Sequence, residues 1–372
     1  MKILFTGGHL TPALAVIDFL QEHHLDVEMV FVGRLYSQKK LKQKAVEKKE
    51  VKQRGLPFIQ FEAVKLDFHG GILQLILKPF KFIISLINAY KILKEQQADI
   101  FLSFGGYMAV PFAIAAKLQK IKIITHEGTR VLSWSNNLIA KIADKVAVSF
   151  PEVKMQLKGQ NNVTVTGTPL RPALSKLASK PDWFTTQADF PVLLVIGGNQ
   201  GSKAINYKIG ESLSVLLKKW TVVHVCGRPN RNDHYSSQLQ QLAQQTLTLE
   251  QQRRYFIREW IDVEDLTWIY QHAKAAVSRA GANTVEELCL HRVPTLFIPL
   301  PHAHLNEQYQ NVAVLENNQA ALVLPQTDLN QSNLLENVQL LAKNNDNYRE
   351  NLERVCPKNN GTAQLVDLIF SV

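Results

Sequence analysis

Residues 192–202 read VLLVIGGNQGS, and residues 3–9 read ILFTGGH. Each is an apolar run of strand length that breaks into glycines and then meets a helical pattern. Strand, glycine turn and helix in direct succession open a βαβ unit, so the sequence predicts an α/β fold with a parallel sheet in each half. In the first turn Thr11-Pro12 reads as cap and first helical position; in the second, Ser202 reads as the cap. Such turns leave backbone N–H groups at a helix start, where a phosphate can sit. The same glycines also serve plain strand-to-helix packing, and one turn alone does not choose between the two.

Outward from these turns, apolar β-branched runs alternate with helical patterns. The first half offers strands at Ile3–Phe5, Val27–Val32, Ile100–Ser103, Ile121–Thr125, Lys145–Ser149 and Val163–Thr166. The second offers Val192–Ile196, Val222–Cys226, Tyr255–Phe256, Ala275–Val277, Thr295–Ile298 and Ala321–Leu324. Between them residues 167–190 carry Pro169, Pro172 and Pro181 among polar residues, the punctuation of an inter-domain connection. A chain of 372 residues fits two such domains, 1–166 and 191–359, on either side of it.

The composition, 46% hydrophobic and 20% charged, excludes disorder and collagen-like repeats. A formal net charge of +10 favours anionic partners without choosing among nucleic acid, lipid and phosphorylated ligands. Cys226, Cys289 and Cys356 form no C-x-x-C pair, which suggests neither a disulfide framework nor a zinc site and fits a reducing, cytoplasmic setting. The opening residues lack the basic and apolar regions of a secretory signal. Phe68–Ile87 is the most apolar stretch, but Lys78, Pro79 and Lys81 interrupt it short of a membrane span. The run Lys39–Arg54 holds eight Lys or Arg residues with Glu47 and Glu50 and no aromatic residue, the pattern of a solvated helix face rather than a nucleic-acid site.

Neither glycine turn is a dinucleotide fingerprint. G-x-G-x-x-G is absent, and Arg34 and Arg228 stand after the second strands, where an acid would hold ribose. There is no P-loop and no D-x-D pair. Any diphosphate is therefore held by backbone dipoles and arginine. His302 and His304 form an H-x-H pair without an acidic or cysteine partner at matching spacing, which reads as loop lining rather than metal ligation.

Taken in order, TGGH at 6–9, FGGY at 104–107, His126-Glu127, GTPLR at 167–171, GGNQGS at 197–202, SRAGANTVEEL at 278–288, PLPHA at 299–303 and Gln308 with Asn311 resemble the MurG family of bacterial N-acetylglucosaminyltransferases over nearly the whole chain. The resemblance implies a GT-B fold of two Rossmann-like parallel-sheet domains facing a central cleft, with the acceptor and the membrane handled by the first and a UDP-sugar by the second. A C-terminal helix at about 360–372 is expected to return to the first domain. It implies inverting transfer from UDP-N-acetylglucosamine to the 4-hydroxyl of undecaprenyl-diphosphate-linked muramoyl-pentapeptide in peptidoglycan synthesis, without metal or cofactor, and no nucleic-acid partner. The cytoplasmic membrane face is the expected location, with Phe68–Ile87 resting on the anionic inner leaflet. Another GT-B transferase with a different acceptor, or a catalytically weakened binding homologue, stays open as the rival reading.

The same resemblance implies the roles of single residues. His9 is the general base, for which an imidazole suits neutral pH. Arg171, Gly198, Asn199, Gly201, Ala280 and Gly281 would hold the donor diphosphate, Ile261 the uracil, Glu287 the ribose, and Gln308 and Asn311 the sugar hydroxyls. Thr284 and Glu287 also have the spacing of a capping box. Thr6, Gly7, Gly8, Tyr107, His126, Glu127 and Thr129 would meet the acceptor. The chain departs from the family where the first turn lacks two glycine-turn residues, where Asn199 replaces the commoner Ser, and where Gly128-Thr129 replaces Gln-Asn.

Overall fold

Two units make up the chain, Met1–Pro172 with Asn359–Val372, and Ala173–Lys358. The computed structural model describes all residues except 25, 35, 39–42, 45, 64–71, 187–188, 199, 230–232 and 357–359; the side chains of 36–38, 43–44, 72–78 and 304 are also outside the description.

In the first unit β1 (Lys2–Thr6), β2 (Glu28–Gly33), a short ribbon of β3 (Tyr36–Gln38) and β4 (Gln43–Lys44), β5 (Phe58–Gln60), β6 (Ile100–Ser103), β7 (Lys122–Glu127), β8 (Lys145–Val148) and β9 (Val163–Val165) follow in sequence. The sheet runs β5-β2-β1-β6-β7-β8-β9. All its pairings are parallel. Helices α1 (Leu10–His23), α2 (Glu47–Gln53), α3 (Ile72–Gln96), α4 (Ala109–Leu118), α5 (Trp134–Ala140) and α6 (Pro151–Gln156) connect them. Alternation along β1 serves both faces. Ile3 and Phe5 join the core that holds Ile17 of α1, and Leu4 joins the one that holds Leu93 of α3 and Phe112 of α4. Buried on both sides, these strands read as continuous apolar runs.

Leu365, Val366 and Ile369 of α15 (Gly361–Phe370) sit fully buried in the first of those cores. At roughly 1.5–3 kcal/mol for each such side chain, the last helix contributes substantially to this unit.

The second unit contains β10 (Val192–Ile196), β11 (Thr221–Val225), β12 (Tyr255–Arg258), β13 (Ala273–Ser278), β14 (Thr295–Phe297) and β15 (Leu322–Val323), ordered β12-β11-β10-β13-β14-β15 and parallel throughout. Between and after them come α7 (Lys203–Leu216), α8 (Tyr235–Thr246), α9 (Leu249–Gln252), α10 (Val263–His272), α11 (Ala282–Leu290), α12 (Glu307–Asn317), α13 (Gln331–Lys343) and α14 (Asn345–Val355). Its core joins Leu193, Val195, Ile209, Leu213, Val277, Leu296 and Val338.

Several local expectations change. The edge strand β5 is only three residues long, and the β3–β4 ribbon has too few apolar residues to stand out in the sequence. Helix α1 starts at Leu10 with His9 as its N-cap, so Thr11 and Pro12 already lie inside its first turn. Likewise α11 starts at Ala282 after Gly281, which puts Thr284 inside the helix and removes the capping box. Both helices begin as soon as the glycines release the strand. Glu47, Glu50 and Val51 of α2 are buried, so this part of the basic run has an inward face; residues 39–42 and 45 lie outside the described residues. Finally, the proline-rich stretch after Pro172 belongs by packing to the second unit. There Phe184 stacks on Phe256 with centroids 4.8 Å apart, and Trp183 Nε1–H donates to Asp265 at 2.6 Å.

Candidate active site

In a doubly wound parallel sheet, ligands bind beyond the carboxyl ends of the strands where the strand order reverses. The first sheet reverses between β1 and β6, the second between β10 and β13. The loops leaving these strands are Gly7–His9 with Phe104–Met108, and Gly197–Ser202 with Arg279–Gly281. They contain half of the residues picked from sequence, among them His9, Tyr107, Gly201 and Gly281.

At the first reversal, Gly7 N–H donates to the Val32 carbonyl at 2.8 Å, closing the turn. Gly8 lies on the loop after β6, where a Cβ would come within 2.1 Å of the Gly105 carbonyl oxygen. Only glycine fits that crossing. His9 follows in extended conformation (φ −114°, ψ 109°), exposed, and its side chain makes no capping bond. The imidazole is thereby held at a helix start with its ring nitrogens uncommitted to the helix. Thr6 is fully buried and its hydroxyl lacks a partner. Tyr107 is half-buried after Gly105 and Gly106, whose N–H groups donate to Ser103 and Ser135 Oγ at 3.0 Å each.

His126 and Glu127 end β7. His126 is 1% exposed; its Nε2 lies 3.3 Å from both the Gly167 carbonyl and Ser149 Oγ, and its Nδ1 has no partner. Burial pushes its pKa down to about 4, and His9 adds to the effect against the Gly167 carbonyl and Glu127. It is a neutral imidazole at physiological pH.

Glu127 was expected to contact the acceptor, but both its oxygens are taken within the unit. Oε1 accepts from Thr129 N–H at 3.2 Å and Thr129 Oγ at 2.9 Å, and Oε2 from Ser133 N–H and Asn136 Nδ2 at 2.9 Å each. Burial alone would raise its pKa; the donors of Ser133, Asn136 and Thr129 hold it below the usual carboxylate value. A buried carboxylate demands such partners, so Glu127 and Thr129 fix the loop's shape. Arg171 is similarly engaged, its Nε donating to Asp18 at 3.0 Å, and the same carboxylate takes Arg54 at 2.5 Å.

Glu47 was missed as a site neighbour. It accepts from Arg34 N–H at 2.9 Å, and a Cβ on Gly7 would lie 3.1 Å from its Oε2. Burial pushes its carboxyl up, against the backbone N–H and charge of Arg34. The only hint in the sequence was an acid within a basic run.

At the second reversal, Gly198 (φ 80°) and Gly201 (φ 74°) have left-handed backbones, and Gly201 N–H donates to Gly198 C=O at 2.9 Å. A Cβ on Gly201 would meet the Cys226 carbonyl oxygen at 2.0 Å. Ser202 caps α7 as expected, its Oγ accepting from Ile205 N–H at 3.4 Å. The first N–H groups of α7 and its positive dipole end form an anion-favouring terminus. Asn199 lies outside the described residues.

Across the reversal, Arg279 N–H donates to Ile196 C=O at 3.2 Å, and its guanidinium bonds the Ile298 and Pro299 carbonyls and Gln326. Burial lowers that guanidinium to about 10. Ala280 is buried and accepts from Asn311 Nδ2 at 3.0 Å, whereas Gly281 faces open space as the N-cap of α11. Glu287, one helical turn and more into α11, accepts from Tyr270 Oη at 2.8 Å. Gln308 Oε1 accepts from Leu300 N–H at 2.9 Å and braces the loop in which His302, Leu305 and Asn306 have positive φ. Gln308 thus braces the loop before α12, and Asn311 the loop after β13. Ile261 is buried just before α10, beside Trp260, over which the Arg228 guanidinium lies 4.9 Å from the ring centroid. His302 is exposed, and among the described residues no three His, Cys, Asp or Glu side chains gather as a metal would need.

On α3, Phe80, Ile83, Ile84 and Ile87 are exposed, with Lys81, Lys91 and Lys94 also on the surface. The expected contact stretch from Phe68 lies partly outside the described residues. Among the described residues no helix is long and apolar enough to cross a membrane.

Both halves of the chain match known proteins. Residues 6–148 match the glycosyltransferase family 28 N-terminal domain and residues 192–369 the family's C-terminal domain. The chain is 31% identical to the UDP-N-acetylglucosamine--N-acetylmuramyl-(pentapeptide) pyrophosphoryl-undecaprenol N-acetylglucosamine transferase of Clostridium botulinum (strain Kyoto / Type A2), over 99% of this chain and 98% of that one. The protein of the same name from Clostridium tetani is also 31% identical, over 99% and 97%. The crystal structure of Acinetobacter baumannii MurG superposes with a TM-score of 0.70 at 25% identity, covering 100% of this chain and 99% of that one.

Proposed function

We propose that this chain, which belongs to the family of UDP-N-acetylglucosamine--N-acetylmuramyl-(pentapeptide) pyrophosphoryl-undecaprenol N-acetylglucosamine transferases, moves N-acetylglucosamine from UDP-N-acetylglucosamine to the 4-hydroxyl of lipid-linked muramoyl-pentapeptide. The observation that carries the reading is His9: an exposed imidazole at a helix start, beside a sheet reversal, with no structural bond to lose.

In this reading His9 takes the proton of the acceptor hydroxyl as its oxygen attacks the anomeric carbon, and the UDP diphosphate leaves with the bonding electrons. Its growing charge is met by N–H groups of the Gly197–Ser202 turn and the α7 dipole, which are oriented before the reaction begins. Glu287 receives the ribose hydroxyls, its second oxygen steadied by Tyr270. Ile261 offers its backbone to uracil, and Arg228 on Trp260 walls that side. Gln308, with Oε1 occupied, turns its amide toward the sugar. On the acceptor side Tyr107 and the Gly8 turn line the approach.

The exposed apolar residues of α3 and the neighbouring lysines rest on an anionic membrane surface, where the lipid-linked acceptor resides. The test is to incubate the protein with labelled UDP-N-acetylglucosamine and a panel of acceptors. A disaccharide lipid formed from the muramoyl-pentapeptide lipid supports the reading, and transfer only to another acceptor overturns it.

A further inference from the structure

The second unit buries three polar side chains that a purely apolar core would do without. His224 on β11 is fully buried, Asn206 on α7 is 2% exposed, and Tyr255 on β12 is 8% exposed. They are joined end to end. His224 Nδ1 lies 2.9 Å from Tyr255 Oη, His224 Nε2 lies 3.0 Å from Asn206 Oδ1, and Asn206 Nδ2 donates to the Cys226 carbonyl at 2.8 Å. That carbonyl can only accept, and this sets every proton in the string. Asn206 must turn its amide N–H₂ toward Cys226 and its oxygen toward His224; His224 must carry its proton on Nε2; Tyr255 must then donate to Nδ1. Burial keeps the ring uncharged, with a pKa pushed down to about 3.

The string ends where the glycine turn is packed. Gly201 lies directly on the Cys226 carbonyl, and a Cβ on Gly227 would come within 2.4 Å of Gly201. Asn206 is the fourth residue of α7, so its amide ties the first turn of that helix to the end of β11. Backbone N–H groups can hold a diphosphate only if the helix start is fixed to within a fraction of an ångström. Apolar side chains would bury as much surface but would set no such register, because their attraction has no direction.

We infer that the Tyr255–His224–Asn206 string is a positioning network for the donor diphosphate, with Asn206 its working end. The inference rests on the donor-site reading above.

The experiment measures UDP affinity by titration calorimetry, and the separate KM values for donor and acceptor, in the full chain and in Asn206→Leu and Asn206→Asp. The first removes both bonds of Asn206; the second keeps the shape and the acceptor toward His224 but turns a carboxylate oxygen on the Cys226 carbonyl. Either is expected to weaken UDP binding about ten-fold or more, the worth of one buried hydrogen bond, with the acceptor KM within about two-fold of the parent. Val338→Ala, a cavity in the same core on α13, lowers stability without moving UDP affinity. Unchanged UDP affinity in whichever Asn206 variant folds overturns the positioning role. Absence of UDP binding in the unmodified chain instead overturns the donor-site reading beneath it.

Discussion

The two glycine turns solve one packing problem and end in opposite chemistry. In each, a glycine lies on a carbonyl of a neighbouring strand's end: Gly8 on Gly105 beside β1, and Gly201 on Cys226 beside β10. The helix then starts with different N-caps. Ser202 closes its own helix by accepting from Ile205 N–H, so nothing reactive is left at the second turn and its N–H groups serve binding. His9 makes no cap bond, which leaves α1 less well terminated and an imidazole available. The difference teaches that the helix start serving reaction gives up a stabilising cap that the start serving binding keeps.

His9→Ala tests that contrast most severely. It is expected to lower kcat by about 10²–10⁴-fold, the usual contribution of a general base, with the melting temperature unchanged because no cap is lost. A rate within a factor of two of the parent would remove His9 from the chemistry. The shared packing is probed next by Gly8→Ala and Gly201→Ala. Each should destabilise by about 1–3 kcal/mol through overpacking, with Gly201→Ala the worse because its φ is positive as well. Denaturant titration checks the order.

Each unit also buries a neutral histidine beside its turn, His126 at a pKa of about 4 and His224 at about 3. Between these values and the ordinary 6.5 the unfolded chain binds more protons than the folded one, so stability rises with pH there and is lost on acidification. Going from pH 7.5 to 5 should cost about 2 kcal/mol for each of these two rings, visible as a fall in the urea midpoint that is larger in the parent than in a variant with that histidine replaced. If replacing only one of His126 and His224 flattens that pH dependence, the symmetry of the two buried rings fails. Smallest is Ser202→Ala, expected to cost about 1 kcal/mol by thermal melting, where a side-chain change at the uncapped His9 costs nothing.

The parallel sheets were legible because strands buried on both faces leave long apolar runs, and the second cap was legible because Ser202 is a good cap in isolation. Thr11 and Thr284 mislead for the same reason: each has a capping residue's chemistry, but the helix had already begun, at Leu10 after His9 and at Ala282 after Gly281. The β5 edge is only three residues long, and the burial of the α2 carboxylates depends on packing: Glu47 meets Arg34, and Glu50 meets Arg54, which Asp18 of α1 also holds.

What the sequence by itself determined is the pair of strand–glycine–helix units and the set of residue types gathered at their ends. Those follow from local sterics and the period of apolar residues, which need no distant partner. Tertiary structure alone decided which polar groups remain available. Glu127, Thr129 and Arg171 look as free in the sequence as His9, but the folded unit brings Ser133, Asn136 and Asp18 to them. A buried charge must be satisfied wherever the chain happens to supply a partner, and that supply is set by packing rather than by spacing.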